Sequence, residues 1–385
     1  MKKVVVNALQ NKQNSSGIGV MIRELFSAYT HLTDRECRVI CTRDGRDFNG
    51  GPRTEIVRTE IGDHENLRRV LFLSFGMGLK YCQNSILLTT DAQVPLLLPT
   101  SCFLAPVVTD LAVFRMRSVY RASRVLLWRL QYAYLRRRAN VFLTISEFTK
   151  REMVEILKIP AEKIHVVPCA ASFALPEPPD DDAKRALREK YNLPEHFVLF
   201  VGNSNPRKNL RRLMQAFDQV KRCTALPHQL IIAGDKGWLF NREQELSALE
   251  HAADMRFIGF VPEADMPALY AAADMFAFPT LYEGFGIPVI EAQLCGTPVL
   301  AASGSALEEV GGDGALYADP YSVDSIAENM LRILDDASLA AALRERGWEN
   351  AARFTWKDSA QLLNDVLERA LEDISAPVSA AIEEG

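Results

Sequence analysis

Short apolar runs alternate with longer amphipathic stretches along this 385-residue chain. Val4–Asn7, Cys37–Thr42, Ser85–Thr89, Phe103–Thr109, Asn140–Ser146 and Ile164–Pro168 read as buried strands, with helical patterns between them. The first unit is a strand, a polar loop from Gln10 to Ser16, the glycines Gly17 and Gly19, and the amphipathic helix GIGVMIRELFSAYTHL. A proline- and acid-rich segment, FALPEPPDDDAK, interrupts the alternation and reads as a linker. A second series follows: His196–Gly202, Leu230–Gly234, Met255–Gly259, Asp274–Pro279 and Val299–Ala301. The pattern predicts two α/β domains with parallel sheets, residues 1–175 and 184–355, joined by a linker at 176–183. A charged helix at 356–372 is expected to pack back across the domains, and 373–385 reads as a frayed tail. Two such domains make a cleft, and ligands of open α/β sheets bind beyond the carboxyl ends of the strands.

The densest segment is Phe278–Ala301, FPTLYEGFGIPVIEAQLCGTPVLA. A strand leads into a loop with Gly284 and Gly286, which let the backbone turn sharply and approach a ligand. Pro288 suits the first helical position, and Gly296 fits a C-terminal cap before the next strand. A helix N-terminus opening beside glycines is an anion site. Glu283 and Glu291 flank it, and acids there are better explained as acceptors for hydroxyl groups than as anion ligands. A ligand with both a phosphate and several hydroxyls is a nucleotide sugar. In VGNSNPRKNL, Arg207 and Lys208 follow the first strand of the second domain and put cations near such a ligand.

Composition narrows the class. Hydrophobic residues make up 48% and charged residues 24%, an ordinary globular balance, and the net charge of -5 argues against nucleic acid as a main partner. The seven cysteines form no C-x-x-C pair, which suggests reduced thiols and a cytoplasmic protein. The N-terminal apolar run is too short for a signal peptide and lacks a small-residue cleavage site. Asp180–Asp182 carry an Asp-x-Asp element of the kind that holds a divalent ion in some transferases, but no strand precedes it, so it reads as solvated spacer. No clustered histidine and carboxylate set is evident, and no metal is expected. Ser146 reads as a helix N-cap rather than a nucleophile, and Asp91 as an N-cap that follows a strand.

The stretch EGFGIPVIE, two glutamates with seven residues between them, resembles the motif of family-4 retaining glycosyltransferases of the GT-B fold. The resemblance implies two Rossmann-like domains facing across a cleft. It implies that Glu283 accepts hydrogen bonds from donor-sugar hydroxyls and that Glu291 holds the nucleotide ribose. The backbone of Phe285, Gly286 and Ile287 would meet the diphosphate and sugar, and Gly17 and Gly19 would lie near the phosphates and acceptor. Lys208, with Arg207, would neutralise the leaving diphosphate, so no cofactor is implied beyond the sugar nucleotide itself. Two positions depart from the family: Asn203 stands where many members carry arginine, and Thr109 where many carry histidine before Asp110. Asp110 remains a candidate near the sugar or acceptor, and Glu309 matches an acid near the nucleotide.

The PRKN form at 206–209 resembles the branch that often uses GDP-mannose in O-antigen or capsule synthesis. It implies a mannosyltransferase acting on a glycan or lipid-linked acceptor. Arg115–Arg138 carries eight arginines and no acids, interleaved with Trp128, Tyr132 and Tyr134. It fits either an anionic membrane surface, placing the protein at the inner face of the cytoplasmic membrane, or a solvated helix face. Two other readings stay open: a phosphorylase or epimerase of the same architecture, and a non-catalytic partner subunit.

Overall fold

The computed structural model describes residues 1–11, 17–91, 93–175, 177–235, 237 and 240–375. These fall into two compact units, one built from Met1–Ala170 and the segment from Thr355 onward, the other from Ala171–Phe354.

The first unit is a seven-stranded parallel sheet. Its strands are β1 (Lys3–Asn7), β2 (Cys37–Cys41), β3 (Thr54–Arg58), β4 (Ser85–Thr90), β5 (Phe103–Val108), β6 (Phe142–Thr144) and β7 (Ile164–Val166). They run in the order β3-β2-β1-β4-β5-β6-β7. Every residue of β4 and β5 is buried, as expected where helices cover both faces. The exception is β3, which the apolar pattern does not reveal. Its sequence TEIVR is largely exposed, because an edge strand needs hydrogen-bond partners on one side only and tolerates charge.

The helix Gly17–Leu32 buries Met21, Ile22, Leu25, Phe26 and Tyr29. Removing each large aliphatic or phenyl side chain from water contributes about 1.5–3 kcal/mol. Gly17 and Gly19 are the first and third residues of this helix, not a loop before it; most of the expected polar loop lies outside the described residues. The helix Trp356–Ser375 packs against it within the same unit and buries Ala360, Leu363 and Leu367. This helix extends into the expected tail, the rest of which lies outside the described residues. Arg35, almost wholly buried, holds it by a two-pronged ion pair with Glu368: Nε to Oε1 at 2.8 Å and Nη2 to Oε2 at 2.6 Å.

The second unit is a six-stranded parallel sheet. It contains β8 (Phe197–Val201), β9 (Gln229–Ala233), β10 (Met255–Gly259), β11 (Met275–Phe278), β12 (Val299–Ala302) and β13 (Ala315–Ala318). Their order is β10-β9-β8-β11-β12-β13. The apolar pattern does not reveal β13, an edge strand whose run ALYA is half alanine and whose two central residues are only partly buried. The acids at 180–182 are not spacer. Asp180 caps the helix Asp181–Tyr191 by accepting from the Ala183 amide at 2.9 Å, and Asp181 and Asp182 pair with Lys184 and Arg185 in its first turn. Carboxylates at a helix N-terminus satisfy free amides and favour the dipole.

Replacing Glu368 by alanine should leave the buried Arg35 guanidinium without its carboxylate. Urea unfolding should show a loss of about 1–3 kcal/mol, at the lower end because Glu368 is half exposed.

Candidate active site

Strand order reverses between β8 and β11, which pair directly, Met275 with Val198 and Phe276 with Leu199. At such a switch point the two chain connections diverge and leave a crevice at the carboxyl ends of the strands. After β8 come a loop, one 3-10 turn at Pro206–Lys208 and, past a left-handed Asn209, the helix Leu210–Cys223. After β11 come Pro279–Gly286 and the helix Ile287–Leu294.

Hydrogen bonds to backbone groups hold these two segments together. The buried Asn209 side-chain amide donates to the carbonyls of Pro279 and Pro320 at 2.8 and 2.7 Å. The Leu281 amide donates to the Arg207 carbonyl at 2.8 Å, and Arg207 Nη1 donates to the Tyr282 carbonyl at 2.7 Å. The result is a charged triad: Lys208 Nζ lies 2.9 Å from Glu283 Oε1, and Arg207 Nη1 lies 2.7 Å from Glu283 Oε2. The Lys208 ammonium also sits over the Phe278 ring, 4.6 Å from its centre. Burial alone would push the Glu283 carboxyl up, but the charges and hydrogen bonds of Arg207 and Lys208 outweigh it and hold it below the usual range. Glu283 is therefore ionised and acceptor-only, and two cations around one anion leave surplus positive charge.

Gly286 sits at φ 106°, and a Cβ there would meet Leu307 Cδ2 at 2.3 Å, so the turn into the helix requires glycine. Ile287 is the first helical residue and Pro288 the second, one place later than expected for the proline. Gly296, at φ 69°, follows the end of this helix as expected. The Phe285 ring is buried edge-on against Phe354, with centroids 5.6 Å apart.

Glu291 is equally buried but, among the described residues, has no cation beside it. Its Oε1 accepts from the Ser172 hydroxyl and, at 3.2 Å, from the Ser172 amide; its Oε2 accepts from the Tyr270 hydroxyl at 3.0 Å. Burial raises its carboxyl above the ordinary range against the pull of these hydrogen bonds. Sequence reading missed Ser172 and Tyr270, which stand 119 and 21 residues from Glu291 and belong to no local motif. It also missed Asn209, whose only sequence signal is its place after Lys208. Asn203 is exposed and accepts from Asn205, and Glu309 is exposed on the short helix Ala306–Gly311.

The histidine and carboxylate cluster that the sequence does not reveal exists in the fold. His196, His228 and Asp274 converge just before β8, β9 and β11, at the opposite ends of the strands from Lys208 and Glu283.

In the first unit, Asp91 is no N-cap. It follows β4 in a left-handed conformation, φ 51°, and its Oδ1 accepts from the Thr109 amide at 2.9 Å and the Thr109 hydroxyl at 2.8 Å. Thr109 thus ties the end of β5 to the end of β4. Asp110, partly exposed, accepts from the Ala112 amide at 3.0 Å. Ser146 caps the helix Glu147–Leu157 through the Thr149 amide at 3.0 Å, as expected.

A family model described as glycosyl transferases, group 1, matches residues 183–350. This chain carries a glycosyl transferases group 1 domain. The group 1 domain contains Asn203, Arg207, Lys208, Glu283, Phe285, Gly286, Ile287, Glu291 and Glu309, whereas Gly17, Gly19 and Asp110 lie outside it. A similar protein is O-antigen chain mannosyltransferase B of Escherichia coli, 35% identical over 226 residues, which are 57% of this chain and 58% of that one. The chain therefore spans less than two thirds of that relative's length. Among solved structures, sucrose-phosphate synthase from Thermosynechococcus elongatus is 18% identical with a TM-score of 0.76, over 97% of this chain and 100% of that one. Anabaena HepE, in complex with UDP-glucose, has a TM-score of 0.75 at 18% identity, over 96% and 100% of the two chains. These likenesses place the two Rossmann-like units in the GT-B fold class.

Burial, and then the charge of Asp110, push the Asp91 carboxyl up to about 7. An unfolded aspartate titrates near its ordinary value, so the folded chain binds the extra proton between the two values and loses stability as pH rises through that window. Asp91→Asn keeps the oxygen facing Thr109 and tolerates the left-handed backbone. It should flatten that fall and raise stability at about pH 8 by on the order of 2–4 kcal/mol, read from thermal unfolding across pH.

Proposed function

We propose that this chain is a retaining hexosyltransferase. It moves a hexose, mannose from GDP-mannose in the first instance, to a hydroxyl of a lipid-linked or growing polysaccharide acceptor. The observation that carries this reading is the Arg207–Lys208–Glu283 triad at the switch point of a group 1 domain. The diphosphate competes with Glu283 for the two cations. As Arg207 and Lys208 turn to the phosphates, the lone pairs of Glu283 become available to the sugar hydroxyls. The bond from the anomeric carbon to the diphosphate oxygen then breaks, the acceptor oxygen bonds from the same face, and its proton passes to the departing diphosphate. Arg207 and Lys208 stabilise that leaving group without a metal in the step. Glu291, already receiving two hydroxyl hydrogen bonds, is suited to the ribose. Phe285, Gly286 and Ile287 meet the donor through their backbone, Glu309 lies toward the nucleotide, and Gly17, Gly19 and Asp110 keep donor-sugar and acceptor roles. The mannosyl choice is supported by the relative named as an O-antigen mannosyltransferase, and the nucleotide-sugar class by the UDP-glucose complex of the structural neighbour.

Contact with an anionic membrane at the inner face of the cytoplasmic membrane belongs to the same proposal. Among the described residues no helix is long and apolar enough to cross a membrane. On the helix Ala122–Arg138, exposed Leu126, Leu127 and Leu130 stand beside exposed Arg124 and Arg129, with Arg121 just before the helix. Mixed leucine and arginine on one exposed helix suits a headgroup boundary. Of the longer basic stretch, Arg115 is committed to Glu152 and Glu155, and Arg138 to the carbonyls of Pro99 and Cys102.

Thermal unfolding with GDP, UDP, ADP, dTDP and their sugar conjugates tests the donor. GDP-mannose at about 100 times its dissociation constant should stabilise the chain by about 2.7 kcal/mol. Lys208→Ala should abolish the shift, and Glu283→Gln should keep GDP binding while turnover falls about 100-fold or more. The anomeric proton of the product should report retention; an inverted centre, or no response to any nucleotide, overturns the reading. In liposome flotation the chain should rise with anionic but not neutral vesicles, and Arg121, Arg124 and Arg129 changed together to glutamine should remain at the bottom.

A further inference from the structure

The cluster at the amino ends of the second sheet plays no part in the transfer reaction and stands independently of it. β9, β8 and β11 are consecutive in the sheet, so the residues that precede them line one edge. Backbone bonds fix that edge: the Gln229 amide donates to the His196 carbonyl at 3.1 Å, and the Asp274 amide donates to the Phe197 carbonyl at 3.0 Å. The Phe197 amide in turn donates to Asp274 Oδ2 at 2.9 Å, which orients the carboxylate.

Around Asp274 Oδ2 stand two imidazole nitrogens, His196 Nδ1 at 3.4 Å and His228 Nε2 at 3.5 Å. The three donor atoms all lie within 4.8 Å of one another, and the ring centroids are 5.3 Å apart. These separations exceed the usual N–H···O range of about 2.7–3.2 Å. The two distances to Asp274 Oδ2 match the edges, about 3.3–3.5 Å long, of a tetrahedron whose centre lies about 2.0–2.2 Å from each ligand, as around zinc.

A second observation concerns His228 itself. Its ring is nine-tenths buried, and Nε2, the nitrogen that faces Asp274 Oδ2, stands 3.5 Å away and so makes no good hydrogen bond. A buried imidazole in that condition costs free energy unless something takes its lone pair. The nearby Lys221 ammonium is engaged by Asp254 at 3.1 Å and by the carbonyls of Leu226 and His228, so its charge is compensated.

We propose that His196, His228 and Asp274 bind a divalent transition-metal ion, zinc by preference, which pins the amino ends of β8, β9 and β11. Two imidazoles and one carboxylate suit zinc, cobalt or nickel, whereas magnesium and calcium require oxygen donors. His196, with its side chain 44% exposed, gives the ion a path from solvent and leaves a fourth position for water. The role is structural, since the triad of the transfer site lies at the other ends of the strands.

The test uses the tag-free full chain in a Cys223→Ser background, because Cys223 is exposed and a thiolate would bind the same ions. After stripping with chelator, titration with cobalt(II) should give one equivalent of bound ion with a visible d–d band that zinc abolishes, and zinc should raise the melting temperature. His196→Ala, at a half-exposed ring, should keep the fold and weaken binding at least about tenfold. Asp274→Asn should do the same with its amide oxygen still facing Phe197. Absence of one-equivalent binding, or binding unchanged in both variants, overturns the proposal.

Discussion

Adjacent parallel strands β8 and β11 send their connections away on opposite sides of the sheet, because right-handed crossovers leave no other route. Every feature of the candidate site depends on that divergence. It exposes the carboxyl ends of both strands at one point, and it forces two loops to run side by side without a strand ladder between them. The Asn209 side-chain amide, with the carbonyl and guanidinium of Arg207, supplies the missing hydrogen bonds to Pro279, Leu281, Tyr282 and Pro320. Only because those loops are stitched do Lys208 and Glu283, 75 residues apart, meet at 2.9 Å.

The same short segment carries two buried glutamates with opposite electrostatics. Glu283 is held ionised by two cations, whereas Glu291 is raised by burial with only neutral hydroxyls and an amide for partners. Both are desolvated, so the difference comes from what stands opposite each carboxylate. The contrast between the two carboxylates is thus written in their partners, not in the residue type.

Much of the fold was legible in the sequence. Buried strands are continuous apolar runs, so eleven of the thirteen among the described residues announced themselves; β3 and β13 did not, because both are edge strands, one charged and the other half alanine and only partly buried. Gly286 and Gly296 were readable because their positive φ leaves few alternatives. The acids at 180–182 were misread because a capping carboxylate and a solvated one look alike until the helix behind them is known. Asp91 was misplaced for a similar reason: its partner, Thr109, lies on the next strand over.

Local sequence determined the elements, the glycine turn at 286 and the residue types gathered near the switch point, because periodicity and backbone sterics act over a few neighbours. Only the tertiary structure decided which of those residues touch. The pairing of Arg207 and Lys208 with Glu283 and the gathering of His196, His228 and Asp274 at the far edge follow from strand order, and that of Ser172 and Tyr270 with Glu291 from the packing of helix and connecting segment around it. Strand order is a property of the whole sheet: it places side by side residues that the chain separates by dozens of positions, and the low dielectric around them sets their charge.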